Sequence, residues 1–135
     1  MAELFGSLQI WGVLVASVAY FMLGWVWYGP LFSKKWMALR EVTEEDIKDP
    51  NPMLFLWSFI LQFIATLTLA VFLAAVDINT LLHGALVGLG AGFGFVFTLA
   101  GTTGLFADNK LGLHLIDNGY HVIGLALAGA IIGYW

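Results

Sequence analysis

The feature that most constrains the fold is a series of four hydrophobic segments, each about the length that crosses a bilayer. They cover residues 8–28, 53–76, 80–106 and 113–135. A transmembrane helix needs about 20 apolar residues. The first segment has no charged residue, and 10% of the whole chain is charged, against roughly a quarter in soluble domains. The sequence therefore predicts an all-α integral membrane four-helix bundle, a single domain over residues 1–135.

The three connections between these segments indicate how the helices are arranged. The connection at residues 77–79 is a tight turn, so we expect the second and third helices to be antiparallel neighbours. The other connections, at residues 29–52 and 107–112, contain every basic residue of the chain: Lys34, Lys35, Arg40, Lys48 and Lys110. With four spans these two connections share one face of the membrane. The positive-inside rule then puts both in the cytoplasm and both termini outside.

The first connection contains features of its own. The amphipathic stretch with Trp36 and Leu39 predicts a short interfacial helix at the level of the headgroups. Farther along, Thr43 precedes three acidic residues, which is typical of a capped helix start. The carboxylates of this connection are an alternative cation site, although the stretch lacks the glycine turn of a calcium loop. The members of that acidic set are Glu41, Glu44, Glu45, Asp46 and Asp49.

Four polar residues interrupt the last hydrophobic segment: His114, Asp117, Asn118 and His121. Their spacing of three and four residues puts them on one stripe of a helix. Ionisable groups inside a membrane cost several kcal/mol unless they are paired or hydrated. The stripe is therefore the first candidate for a functional site.

Depth along the helices suggests which residues the stripe faces. At 1.5 Å per residue, His121 lies near the midplane, level with Gln62 on the second helix, and Thr98 approaches the level of Asp117. One interpretation is structural, with these groups bonded to each other and fixing helix register. A second is a proton or solute path through Asp117 and His121. A metal site is a third. We expect no bound metal and no cofactor.

Small residues recur at four-residue spacing in the last two segments. They are Gly84, Gly88 and Gly92 in the third and Gly129 and Gly133 in the fourth. Glycine faces let transmembrane helices approach closely. We expect them to mediate self-association, although the spacing does not say whether they meet within one subunit or between subunits.

Aromatic and basic residues cluster after the first segment. Trp27, Tyr28 and Trp36 are expected at the membrane interface, where they and the nearby Lys34 and Lys35 form a possible contact for a lipid headgroup. Gly29 and Pro30 are expected to end the first helix and turn the chain.

No nucleophile with a nearby base and no phosphate-binding loop is recognisable, so the sequence predicts a protein that is not an enzyme. A net charge of −4 does not suggest nucleic acid binding. The predicted partner is the lipid bilayer, with self-association as described.

Two parts of the chain resemble a known family. The sequence motifs GWVWYGPLF at residues 24–32 and KWM at residues 35–37 look like the signature of the DUF1761 family of small bacterial membrane proteins. LIDNGYH at 115–121 and GAIIG at 129–133 are similar to its final helix. The resemblance spans nearly the whole chain and implies a four-helix protein of the bacterial inner membrane. It implies no activity, because the family has none assigned.

Three functional hypotheses follow. The first is a non-enzymatic homo-oligomer in which the polar stripe acts as structural glue. The second is a small proton-coupled transporter or channel that uses Asp117 and His121. The third is an accessory subunit of a larger membrane complex.

Overall fold

A computed structural model describes residues 2–6 and 8–135, and the description that follows refers to those residues. They form six helices and no strand: α1 (Ala2–Gly6), α2 (Ile10–Leu31), α3 (Ser33–Arg40), α4 (Pro52–Ala75), α5 (Leu81–Phe106) and α6 (Leu111–Tyr134). The longer four, α2, α4, α5 and α6, are each long and apolar enough to cross a membrane. The predictions of an all-α chain and of four candidate spans are confirmed, with boundaries shifted by up to three residues.

Helix α6 lies at the centre of the arrangement. It packs along most of α5, along α2 and, less extensively, along α4. The second and third spans are expected to be antiparallel neighbours, and the neighbour part of this prediction is wrong, because α4 and α5 make only slight contact although a tight turn joins them. The reason is the glycine face of α5, which fits the small residues of α6 more closely than it would fit the large side chains of α4.

The contact between α5 and α6 is made backbone to backbone. A Cβ atom built on Gly84 would overlap the carbonyl oxygen of Gly129, and one built on Gly88 would overlap that of Leu125. The pairing continues along the helices, where Gly92 meets the backbone of Val122. Only residues without a side chain allow this approach.

The glycines expected to mediate self-association are therefore used inside one chain. Gly133 completes the set, because a Cβ on it would overlap the carbonyl oxygen of Thr80. These faces are closed to a second copy of the chain. Self-association stays a prediction, and it needs a different surface.

Helix α2 does not end at Gly29 and Pro30 as predicted. Its last turn, Trp27–Leu31, is a π-helix that contains Pro30. Proline has no N–H and removes one ordinary helical bond. The wider turn restores the ladder, since the Phe32 N–H donates to the Trp27 carbonyl, five residues earlier, at 3.0 Å.

A second π-helix, Gly92–Phe97, interrupts α5 before its last part. Wide turns of this kind change the direction in which the following residues point and are frequent at functional sites. Beyond it, the segment Thr98–Phe106 makes far less contact with α6 than the first half of α5 does. A groove opens there between the two helices.

In the first connection, the short helix predicted around Trp36 is confirmed as α3. The capped helix predicted from Thr43 is wrong. Asp46 accepts hydrogen bonds from the N–H (2.8 Å) and hydroxyl (3.0 Å) of Thr43, but only turns follow. The residue before a proline is disfavoured in a helix, and Pro50 leaves too few residues to extend the turn.

The first and third connections meet at one end of the molecule. The Lys110 ammonium donates to the Leu39 carbonyl at 2.7 Å and lies 3.6 Å from the Glu41 carboxylate. Leu39 also packs over Gly112 at the start of α6. We call this the basic end, because all five Lys and Arg residues belong to these two connections.

Candidate functional site

The site is built around Asp117, one and a half turns into α6 from the basic end. The Tyr28 hydroxyl donates to its Oδ1 atom at 2.8 Å, and the Trp36 Nε1–H donates to the same oxygen at 3.2 Å. The two aromatic rings meet edge to face, with centroids 6.1 Å apart. Tyr28 is held in place by the π-turn of α2 and Trp36 by α3. The two helices thus converge on one carboxylate.

A neighbouring contact strengthens this attachment. The Trp27 Nε1–H donates to the Ile116 carbonyl at 2.9 Å. A helical carbonyl already bonded within its helix keeps a second lone pair that can accept such a bond. Consecutive residues of the π-turn, Trp27 and Tyr28, therefore contact consecutive residues of α6. We call these bonds, together with that from Trp36 to Asp117, the latch.

The hydrogen bonds continue one turn deeper through two tyrosines. The Tyr20 hydroxyl contacts Nδ1 of His121 at 2.5 Å. The Tyr120 hydroxyl donates to the Tyr20 carbonyl at 2.7 Å and accepts from Nε2 of Gln62 at 3.1 Å. Both tyrosines are buried. This second cluster ties α2, α4 and α6 together near the middle of the spans.

The predicted direct contacts of the stripe with Gln62 and Thr98 are wrong. Gln62 bonds to Tyr120 rather than to His121 or Asp117. The Thr98 hydroxyl donates to the Gly94 carbonyl of its own helix at 2.7 Å. Tyrosine side chains, which are long enough to cross between helices, make the connections that the shorter polar groups were expected to make.

The stripe divides between two faces of α6. His121 and Asp117 bond toward α2 and α3, as described above. His114 and Asn118 turn toward α5, where Asn118 contacts Nδ1 of His114 at 2.9 Å and the imidazole lies against Phe97, with ring centroids 4.4 Å apart. One helical stripe spans enough angle to serve both neighbours.

The face toward α5 borders the groove left by the second half of that helix. This groove has a volume of about 1080 Å³, at the upper end of the volumes of small-molecule sites. Its polar lining comprises Arg40, Thr98, Thr102, Thr103, Asn109, His114, Asp117 and Asn118. We call it the threonine groove. Asp117 is therefore both the acceptor of the latch and part of this groove.

A second groove of about 630 Å³ lies on the other side of α6. Its lining includes Ser58, Gln62, Tyr28, Tyr120 and His121. The Oε1 atom of Gln62 is buried and has no hydrogen-bond partner among the described residues. Asp117 and His121 thus border different grooves.

The aromatic residues predicted at the membrane interface contact α6. Trp27, Tyr28 and Trp36 all donate hydrogen bonds to α6 and are half-buried. Their hydrogen-bonding ends have partners within the protein, and the contact of these three residues with a lipid headgroup stays a prediction. Lys34 and Lys35 are exposed, and their contact with lipid stays a prediction.

Sequence reasoning missed Tyr20 and Tyr120, the two residues at the centre of the deeper cluster. Each reads as one more aromatic residue in a hydrophobic segment, because the groups that bond to its hydroxyl lie about 100 or 58 positions away. A hydroxyl inside a predicted span is itself the available signal, since it needs a partner there.

Comparisons with known proteins place the chain in one family and assign it no activity. A family model described as a protein of unknown function (DUF1761) matches residues 11–133, nearly the whole chain. Neither curated proteins nor solved structures gave a match.

Proposed function

The chain belongs to the DUF1761 family, and from that premise we propose that it is a non-enzymatic, multi-pass protein of the bacterial inner membrane in which the polar stripe of α6 holds α2 and α3 in place. The observation that carries the proposal is the pair of donors on Asp117, Tyr28 at 2.8 Å and Trp36 at 3.2 Å. A carboxylate inside a membrane protein is stabilised by such bonds.

The test compares stability and flux in the same preparation. Because Asp117 accepts two bonds of the latch, we expect Asp117→Ala to lower the unfolding temperature in lipid. We also expect liposomes that contain the wild-type protein to show no proton flux under an imposed pH gradient. An Asp117→Ala protein as stable as the wild type would contradict the proposal. Thr98→Val is a matched control, because Thr98 lines the same groove but bonds only within its own helix.

Proton-coupled transport through Asp117 and His121 is the second candidate. It is favoured by one observation, the open groove that reaches Asp117 from the basic end. A wild-type proton or solute flux that disappears in a folded Asp117→Asn variant would establish transport and show that the stripe does more than hold helices.

The orientation is also a proposal. With all five basic residues at one end, the positive-inside rule places that end in the cytoplasm and both termini outside. Alkaline phosphatase, active only outside, should be active when fused after Trp135 and inactive when inserted in the turn at residues 44–47. The reverse pattern would contradict the orientation.

Self-association belongs to the proposal as well, through surfaces other than the glycine faces. The outward faces of the spans carry large exposed apolar side chains, such as Leu61, Phe72 and Leu99, which suit lipid or another helix equally. Native mass spectrometry from unperturbed membranes would show a single repeated mass for a homo-oligomer. Additional masses would favour an accessory subunit of a larger complex.

A further inference from the structure

No Lys or Arg within the spans offers a counter-charge to Asp117. Asp117 is the one Asp, Glu, Lys or Arg in the four segments Ile10–Leu31, Pro52–Ala75, Leu81–Phe106 and Leu111–Tyr134. Among the described residues the ion pair is Lys110 with Glu41, outside these segments. Charged groups at membrane depth are usually paired or mark a ligand path.

One oxygen of this carboxylate is free to bind something else. The Tyr28 and Trp36 donors both reach Oδ1, and no hydrogen bond from the described residues reaches Oδ2. Since Asp117 lines the threonine groove, a molecule in the groove can contact the carboxylate without displacing Tyr28 or Trp36.

The threonines of the groove present acceptors rather than donors. The hydroxyls of Thr98, Thr102 and Thr103 donate to carbonyls of their own helix, at 2.7, 3.2 and 3.3 Å. A hydroxyl whose proton is used in this way keeps lone pairs for accepting. Together with the carboxylate, these groups favour a ligand rich in N–H donors, such as a primary ammonium.

A positive charge also lines the groove. Arg40 is exposed at the basic end and lines the groove, and its guanidinium lies 5.0 Å from the centroid of the Trp36 ring. Trp36 thus contacts both Arg40 and Asp117. A ligand complementary to both charges carries an ammonium and an anionic group in one small unit.

We propose that the threonine groove binds a small zwitterion of this kind, with its ammonium on Asp117 Oδ2 and its anion at Arg40. Phosphoethanolamine has this chemistry, either as the headgroup of an aminophospholipid or as a free molecule. The inference goes beyond the latch, which uses the other oxygen of Asp117. It also names a ligand class for the transport candidate.

The experiment uses the full chain in nanodiscs of phosphatidylethanolamine and phosphatidylcholine in equal amounts with the same acyl chains. Native mass spectrometry counts the lipids of each kind that stay bound to the protein after it is released from the nanodisc. We expect at least about tenfold preference for phosphatidylethanolamine in the wild type, and loss of that preference in Asp117→Asn and Arg40→Gln. Asp77→Asn, at the opposite end, is the matched acidic control and should keep it.

A second arm identifies the source of the ligand and guards against misfolding. Free phosphoethanolamine is titrated in phosphatidylcholine nanodiscs and followed by tryptophan fluorescence. Binding in this arm identifies a free ligand, and binding in the lipid arm alone identifies a headgroup. Thr102→Val removes one exposed acceptor without touching the latch, so it should weaken binding in a folded protein even where Asp117→Asn does not fold.

The proposal is overturned if the wild type shows neither a lipid preference nor binding of free phosphoethanolamine. It is also overturned if folded Asp117→Asn binds as the wild type does. The latch is tested separately by stability, so either idea can fail while the other stands.

Discussion

Asp117 is accommodated among apolar helices by two neutral donors that come from different parts of the chain. Tyr28 belongs to the last turn of α2, and Trp36 belongs to the short helix α3. Hydrogen bonds to a charged acceptor are worth about 1.5–3 kcal/mol each. The bond from Trp36 to Asp117, together with the contacts of Leu39 with Lys110 and Gly112, therefore holds α3 against α6.

The deeper cluster gives a prediction at Tyr120 and Gln62. The Tyr120 hydroxyl makes two hydrogen bonds, whereas Gln62 makes one and buries an oxygen without a partner in the described chain. Tyr120→Phe should lower the free energy of unfolding by about 1–2 kcal/mol. Gln62→Leu should cost clearly less, because the substitution also removes the unsatisfied oxygen. Chemical or steric-trap unfolding in bicelles measures both, and an equal or larger loss for Gln62→Leu would contradict this explanation.

The turn at Asp46 gives a prediction about pH. The Thr43 N–H, and then its hydroxyl, hold the pKa of the Asp46 carboxyl below its ordinary value of 3.8. Because the pKa is lowered, these bonds stabilise the turn fully at pH values above the ordinary 3.8. This stabilisation is lost as the pH falls through the lower pKa of the folded protein.

Carbon-detected NMR of the Asp46 carboxyl measures this directly. The midpoint should lie below 3.8, and Thr43→Ala should raise it toward the ordinary value. A midpoint that Thr43→Ala leaves unchanged would show that the turn does not perturb the carboxyl.

At the scale of helices, the glycine face of α5 decides which neighbour α6 takes. A matched pair tests this. A Cβ on Gly88 would overlap the Leu125 carbonyl, whereas a Cβ on Gly90, two residues later, meets nothing within 4 Å. Gly88→Ala should cost about 1–3 kcal/mol by overpacking.

The control substitution should not lower the free energy of unfolding. Gly90→Ala is expected to be neutral or to stabilise the helix by up to about 1 kcal/mol, since alanine is the better helix former. Thermal unfolding in detergent or bicelles compares the two proteins. Equal effects at the two positions would mean that the close contact of α5 with α6 does not form.

Much of this element-level structure could be predicted from the sequence. Long uncharged segments predict the helices, and Trp36 with Leu39 predicts α3. The neighbours of each helix could not be predicted, because glycine spacing does not identify its partner. The two π-turns also escaped, since Pro30 and Gly92 allow either a helix end or a wide turn, and tertiary contacts decide between them.

At the scale of the whole molecule, α6 is the common partner of the other spans. On one side the latch and the tyrosine cluster attach α2, α3 and α4, and on the other side the glycines attach the first half of α5. The second half of α5 makes little contact and borders the threonine groove. Attachment and groove meet at Asp117, which accepts two hydrogen bonds at Oδ1 and also lines the groove.

The strength of the bond between Tyr28 and Asp117 can be measured by a double-mutant cycle of Tyr28→Phe with Asp117→Ala. The quantity compared is the free energy of unfolding in bicelles. Thr98→Val with Asp117→Ala is the control cycle, since those residues line one groove without a bond between them. We expect a coupling of at least about 1 kcal/mol for the first pair and additivity for the control. Additivity within about 0.5 kcal/mol for Tyr28 and Asp117 would contradict this expectation.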